Sequence, residues 1–301
     1  KRQPFNFDSL LKKIPELKLL QCEIETISFE PPIDSSNIGP NHWIHLAELI
    51  ESHYETHQGF VVLHGSDTMS YSASALSFML ENLNKPVIFT GSQLTIDDLR
   101  TDAKENLITA IQLASLQQNN IPIIKEVGLY FEYKLFRGNR TTKINADHFN
   151  AFASNNYAPL VTSGVELQVQ YNLLLKKNPN KEIKVWKNLN TNVVLIKLFP
   201  GIQSTTIASI LEAPNLKGVV LETYGSGNAT TSNWFLNLIK QAISKGIYIV
   251  NTTQCSGGMV QMGKYETSQY LQELGVISCR DMTTEAAITK MMFLLGTNKL
   301  K

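Results

Sequence analysis

The chain has little of what marks several large classes of protein. Cysteine is scarce: Cys22, Cys255 and Cys279 are the only three in 301 residues. An odd number without close pairing excludes a disulfide scaffold and a Cys-based zinc site, and points to a reducing compartment. No apolar run approaches the roughly 20 residues needed to span a bilayer. With no signal-peptide pattern ahead of the fold, no membrane partner and a cytoplasmic location are expected. A net charge of +1, with no Lys/Arg block longer than a dipeptide, leaves no cationic field for phosphates, so no nucleic-acid partner is expected either. There is no Walker loop. Tyr224-Gly225-Ser226-Gly227-Asn228-Ala229 is followed by Thr230 where a dinucleotide fingerprint has its third glycine. His53 and His57 lie four apart in neither the HExxH nor the HxxEH order, and a helix end before Gly59 accounts for them. We therefore expect neither metal nor cofactor, and a small molecule as the substrate.

What is present is a chain of ordinary globular composition, 43% hydrophobic and 18% charged, long enough for a sizeable core and for two domains. Its most informative stretch runs from Gly59 to Gln93. The apolar run Phe60–Leu63 ends in a polar loop, His64-Gly65-Ser66-Asp67-Thr68, and an apolar-striped helix is expected near 71–83, with Leu76, Met79, Leu80 and Leu83 facing the core. The pattern repeats as Val87-Ile88-Phe89 ends in Thr90-Gly91-Ser92-Gln93. Clefts of open α/β sheets form beyond such strand ends, so a hydroxyl, a carboxylate and an amide converge there.

Further strand-like and helical patterns alternate: a helix near 102–116, a strand near 127–132, then strands at Val193–Phe199, Gly218–Leu221 and Ile247–Val250. Helices are expected at Ser232–Ser244, closed by Gly246, and at Thr284–Leu295. Such alternation predicts α/β architecture with two doubly wound domains and mostly parallel sheets, the larger N-terminal and the smaller C-terminal. The expected division is 1–175, a Lys/Asn-rich linker at 176–192, and 193–301.

A catalytic set can be assembled from Ser66, Asp67 and Lys143, the lysine closing the loop that begins at Arg137. A hydroxyl is a poor nucleophile until a neighbour takes its proton. A lysine can do so when burial or nearby cations lower its pKa, and an adjacent carboxylate can position it while holding a substrate ammonium. The competing structural reading is that Asp67-Thr68 caps a helix and that Lys143 is solvated. Asp34-Ser35-Ser36-Asn37, ahead of a helix start at Pro40-Asn41, offers hydroxyls and backbone donors suited to a carboxylate, or simply a turn and cap. His64 beside the loop is expected to be a hydrogen-bonded structural group.

Taken together, these residues resemble the bacterial type I (cytoplasmic) L-asparaginases over essentially the whole chain. The resemblance rests on Asp34-Ser35-Ser36, on His64-Gly65-Ser66-Asp67-Thr68-Met69 through Lys85-Pro86-Val87, and on Thr90-Gly91-Ser92-Gln93. It continues in Leu99-Arg100-Thr101-Asp102, Asn106-Leu107, Arg137 to Lys143, Ala151-Phe152-Ala153-Ser154, Pro200-Gly201 and Thr253-Gln254-Cys255. It implies hydrolysis of L-asparagine to L-aspartate and ammonia without metal or cofactor. Carried over by position, Asp67 would hold the substrate α-amino group and Ser35 and Ser36 its α-carboxylate, with Asp34 beside them. Ser66, Asp67 and Lys143 would form the hydroxyl-acid-lysine triad, and backbone amides near Ser66 and Ser92 would stabilise the oxyanion. A homodimer, or a homotetramer built as a dimer of dimers with sites near the subunit boundary, is implied as well.

Three departures carry expectations of their own. The family's first strand and its Thr-Gly-Gly-Thr-Ile-Gly loop, source of the primary nucleophilic threonine, have no counterpart here. Lys1–Phe7 looks like the sequence just after that loop, so the segment is expected to have been lost from the chain's beginning rather than deleted in evolution. Position 66 is Ser where the family usually has Thr; the hydroxyl survives and activity is expected to persist. Some members bind asparagine at a regulatory site near the equivalents of Thr142, Glu222 and Cys255, with arginine at the middle position. Glu222 would repel the substrate carboxylate, so no such regulation, or a different one, is expected. Two alternatives remain: an inactive asparagine-binding homologue, and the asparaginase-like subunit of an archaeal tRNA-dependent amidotransferase, against which the near-neutral charge argues.

Overall fold

The computed structural model describes residues 7–176, 178 and 181–299, so Lys177, Pro179 and Asn180 of the expected linker lie outside the described residues. The chain divides into two compact units, Lys1–Lys187 and Asn188–Lys301.

In the first unit α1 (Phe7–Lys13) is followed by α2 (Pro40–Ser52). Pro40 starts α2 because its missing N–H is not needed at the first helical position, and the Gly39 N–H donates to His42 Nδ1 at 3.0 Å. Next come β1 (Phe60–Leu63), a 3₁₀ turn at Ser66–Thr68, α3 (Met69–Met79), β2 (Leu80–Glu81), β3 (Val87–Thr90) and α4 (Ala103–Ser115). The remaining strands are β4 (Gln117–Gln118), β5 (Ile121–Pro122), β6 (Val127–Phe131), β7 (Lys134–Arg137), β8 (Thr142–Lys143), β9 (Phe152–Ala153), β10 (Val161–Ser163), β11 (Leu167–Val169) and β12 (Lys184–Val185).

The main sheet has the order β1-β3-β6-β7-β10-β11. Strands β1, β3 and β6 run parallel, as the alternating pattern predicts. β3 and β6 are buried throughout, as continuous apolar strands inside a parallel sheet are. Beyond β6 the sheet continues antiparallel. None of β7, β10 and β11 was among the expected strands, which stop at 127–132 and resume at Val193. The extension forms because Glu132 and Tyr133, both at positive φ, turn the chain back in a tight hairpin. The core joins Ile88, Leu113, Ile124, Tyr130, Leu135 and Leu160.

The helix expected near 71–83 is shorter. It ends at Met79, and Leu80 and Glu81 extend as β2 to pair with β12. The Trp186 N–H bonds to the Met79 carbonyl and the indole N–H to Glu81 Oε2, so a distant strand captures the segment before another helical turn can form. Leu80 and Leu83 still reach the core. Residues 181–187 of the expected linker, β12 among them, thus belong to the first unit.

In the second unit β13 (Val193–Lys197), α5 (Ser204–Leu211), β14 (Gly218–Thr223), α6 (Asn233–Ser244), β15 (Tyr248–Thr253), α7 (Glu266–Glu273), β16 (Ile277–Ser278) and α8 (Thr284–Gly296) alternate without exception. All four strands are parallel, in sequence order. Leu221 and Ile249 pack with Phe235, Ile239 and Leu271 on one face, whereas Val220 packs with Ala287 and Met291 of α8 on the other. Helices therefore cover both faces, the doubly wound arrangement expected. Gly246 ends α6 at φ +82°, a conformation glycine adopts freely. Helices α5 and α7 were not anticipated, because eight residues are too few for a convincing period. Among the described residues no helix is long and apolar enough to cross a membrane.

Candidate active site

The two adjacent parallel strands β1 and β3 end in register, Leu63 beside Thr90, so the loops after them leave the sheet side by side. They touch closely: the His64 N–H bonds to the Thr90 carbonyl at 2.9 Å, and a Cβ on Gly91 would lie 2.2 Å from the His64 oxygen. A third loop comes down on the first. A Cβ on Gly65 would lie 2.6 Å from Ser35 Oγ, and Thr68 Oγ1 donates to the Ser35 carbonyl at 2.6 Å. Glycine at 65 and 91 is what lets three backbones meet here.

Lys143 reaches this point from β8, held in place by pairing with Phe152 of β9, whose buried ring packs against Phe131. Its Nζ donates to Ser66 Oγ at 2.9 Å and to Asp67 Oδ1 at 2.8 Å. The lysine side chain is 17% exposed and that of Asp67 66%, so the cation is sheltered while the carboxylate keeps an open side. Neither structural alternative describes these residues. Lys143 is not solvated, and Asp67 and Thr68 make no side-chain cap on α3. Ser66 Oγ in turn donates to Gln93 Oε1 at 3.0 Å.

The other expected site residues fall as follows. Asp34 does act as a cap: its Oδ1 accepts from the Ser36 N–H at 3.0 Å and from Ser36 Oγ at 2.8 Å. Ser35 is buried and Ser36 exposed, both on the loop that touches the Ser66 turn. Ser92 sits half-buried just past β3. Thr142 precedes Lys143 on β8. Glu222, at the end of β14 in the second unit, is buried; one oxygen accepts from Thr284 Oγ1 and the other lies 3.4 Å from Lys197 Nζ. Cys255 is exposed in the loop after β15, its N–H bonded to Thr253 Oγ1.

His64 is a structural group, as expected. Trp43 Nε1 can only donate, and it bonds Ser72 Oγ at 2.9 Å. Ser72 therefore directs its own hydrogen to His64 Nε2 at 2.8 Å, which leaves the imidazole proton on Nδ1 facing the Gly65 carbonyl at 2.6 Å. Burial pushes its pKa below the usual histidine value, partly offset by that last bond.

Gln93 and Asp102 carry geometry that sequence reasoning did not assign. Asp102 accepts from the Gln93 and Leu94 N–H groups and from Asn106 Nδ2. Gln93 Nε2 donates to the carbonyls of Ala146 and His148, in the loop after Lys143. Both residues lie in the quoted motifs, but nothing local says which distant group an amide will meet.

Two family models cover almost all of the chain: "Asparaginase, N-terminal" over residues 1–175 and "Glutaminase/Asparaginase C-terminal domain" over residues 192–301. The chain is 44% identical over 268 residues to L-asparaginase 1 of Escherichia coli K12, covering 89% of this chain and 77% of that protein. It is 41% identical over 282 residues to the mouse 60 kDa lysophospholipase, covering 94% of this chain but 48% of that protein. The crystal structure of L-asparaginase I from Vibrio cholerae superposes with a TM-score of 0.87 at 40% identity, covering 97% of this chain and 86% of that one.

Proposed function

The chain belongs to the asparaginase family, and from that premise we propose that Ser66, Asp67 and Lys143 carry the hydrolysis of L-asparagine to L-aspartate and ammonia. The observation that carries the residue roles is the lysine Nζ bonded at once to Ser66 Oγ and Asp67 Oδ1. The likeness to L-asparaginase 1 covers 77% of that protein, against 48% for the lysophospholipase, so the former's activity is the one carried over.

The chemistry divides into two steps. A hydroxyl oxygen other than Ser66 Oγ adds to the carboxamide carbon and gives its proton to Ser66 Oγ, which passes its own hydrogen from Gln93 to Lys143 in the lysine's uncharged form. The C–N bond then breaks, and ammonia leaves with the proton the lysine returns. Water cleaves the resulting ester by the same proton path, releasing aspartate and restoring the hydroxyl. Asp67, with one oxygen on Lys143 and an open side, holds the lysine in place and accepts the substrate ammonium. The Ser35-Ser36 loop takes the α-carboxylate, and the amides near Ser66 and Ser92 face the developing oxyanion. These steps use side chains and backbone amides alone.

We assign the protein to the cytoplasm, since its three cysteines are unpaired, and to a homodimer or homotetramer, testable by sedimentation. The deciding measurement is ammonia release from L-asparagine. Lys143→Met should lower turnover by about 10²–10⁴-fold with an unchanged melting temperature, and wild-type turnover in that variant would sink the assigned roles. A folded wild type that binds asparagine in calorimetry without releasing ammonia would point instead to an inactive binding homologue.

A further inference from the structure

Ser66 Oγ has one hydrogen to give, and it goes to Gln93 Oε1 at 3.0 Å while the lone pair opposite accepts from Lys143 Nζ at 2.9 Å. The direction of the Gln93 amide is not free. Its Nε2 hydrogens are placed on two carbonyls, Ala146 at 3.1 Å and His148 at 3.0 Å. Turning the amide over would set Oε1 against both carbonyl oxygens, losing those two bonds and leaving lone pairs face to face. Its backbone is fixed as well, by two 3.0 Å bonds from the Gln93 N–H to the Asp102 carboxylate, which also takes the Leu94 N–H and Asn106 Nδ2. Asn106 Nδ2 returns to the Gly91 carbonyl at 2.9 Å, so the whole loop after β3 is tied to the start of α4.

We propose that Gln93 is a positioning residue for the hydrolysis, an amide clamp whose oxygen, by accepting the Ser66 hydrogen, fixes Ser66 Oγ with its lone pair facing Lys143 and whose nitrogen fastens the loop that follows Lys143. A serine side chain has three staggered rotamers. Two opposed hydrogen bonds select the one that faces the lysine. The same amide holds the chain three to five residues past Lys143, so one side chain sets the distance between the two groups that exchange the proton. Gln93 does not touch the reacting atoms and acts through Ser66. The inference rests on the reading that Ser66 and Lys143 carry the reaction.

The test is steady-state ammonia release from L-asparagine, with the melting temperature recorded for each variant. Gln93→Met keeps the length and removes both kinds of bond. It should lower kcat on the order of 10- to 100-fold while KM stays within about 3-fold and the melting temperature stays at the wild-type value. Gln93→Glu keeps the oxygen facing Ser66 but sets a second oxygen against the Ala146 and His148 carbonyls. Its kcat relative to wild type should be low near neutral pH and climb as the pH falls toward about 5, where the carboxyl gains a hydrogen and can donate again. A merely structural role would lower the melting temperature in step with kcat and leave that ratio flat, and either result overturns the proposal. A Gln93→Met enzyme as fast as wild type also overturns it, provided Lys143→Met is inactive. If Lys143→Met itself retains full activity, it is the reading of the site that fails.

Discussion

Ser66, where the resemblance leads one to expect threonine, makes both of the bonds that position it through its hydroxyl, to Lys143 and to Gln93. The absent methyl takes part in neither. Beside it, His64 makes a pH dependence that can be measured apart from catalysis. Burial holds its folded-state pKa below the unfolded value, so below the usual histidine pKa the unfolded chain binds the extra proton and the folded chain resists it. Stability therefore rises with pH across that window and is lost on acidification. Thermal melts between about pH 7.5 and 5.5 should show a steeper fall for wild type than for His64→Gln, and equal slopes would show that the imidazole is not kept neutral by the fold. The grouping of Ser66, Asp67 and Lys143 was legible from side-chain type, and the structure brings the three within hydrogen-bond distance. Nothing of the kind was legible for Gln93, whose contacts depend on which carbonyls its amide meets.

At the scale of elements, the placement of Lys143 depends on what happens between β6 and β8. The β6–β7 hairpin returns the chain, and Arg137 at the end of β7 is locked to Glu126 ahead of β6. Its Nη2 lies 3.2 Å from Glu126 Oε1 and donates to the Leu173 carbonyl, and its guanidinium lies 4.4 Å from the Tyr157 ring centroid. The Glu126 side chain is 3% exposed and also accepts the Leu175 N–H. Removing the carboxylate leaves a sheltered guanidinium and a backbone donor without their acceptor. Glu126→Ala should thus cost about 3 kcal/mol or more, seen as a lower denaturant midpoint with turnover retained in the folded fraction. A loss below about 0.5 kcal/mol would mean that water replaces the pair at little cost. The sequence predicted the Arg137–Lys143 stretch as a loop, and only the hairpin before it and the β8–β9 pairing after it aim the lysine at Ser66.

At the scale of the whole molecule, each unit has its own core and its own sheet. The second unit carries Glu222, expected from the resemblance at a regulatory position. Its carboxylate is bonded to Thr284 and lies beside Lys197, and we propose from the resemblance that it takes the place of the arginine of regulated family members. We expect a hyperbolic dependence of velocity on asparagine concentration, and a sigmoidal curve would refute the reading of Glu222.

Much of the order of elements, though not α5, α7 or the antiparallel strands after β6, could be read without a structure, because period and strand-end polarity are properties of neighbouring residues. The apolar runs Phe60–Leu63 and Val87–Phe89, the helix starts at Pro40 and Ser232, and the glycine stop at Gly246 all follow from residues within a turn or two. The polar loop that carries Ser66 and Asp67 was legible for the same reason. What tertiary structure alone decided is every contact that spans the chain. Lys143 meets Ser66 across 77 positions, Gln93 holds the loop 53 and 55 residues beyond it, and β12 ends α3 early. Those pairings are selected by closing loops against the packing of one core, and that free energy is shared among residues far apart rather than carried by any local pattern.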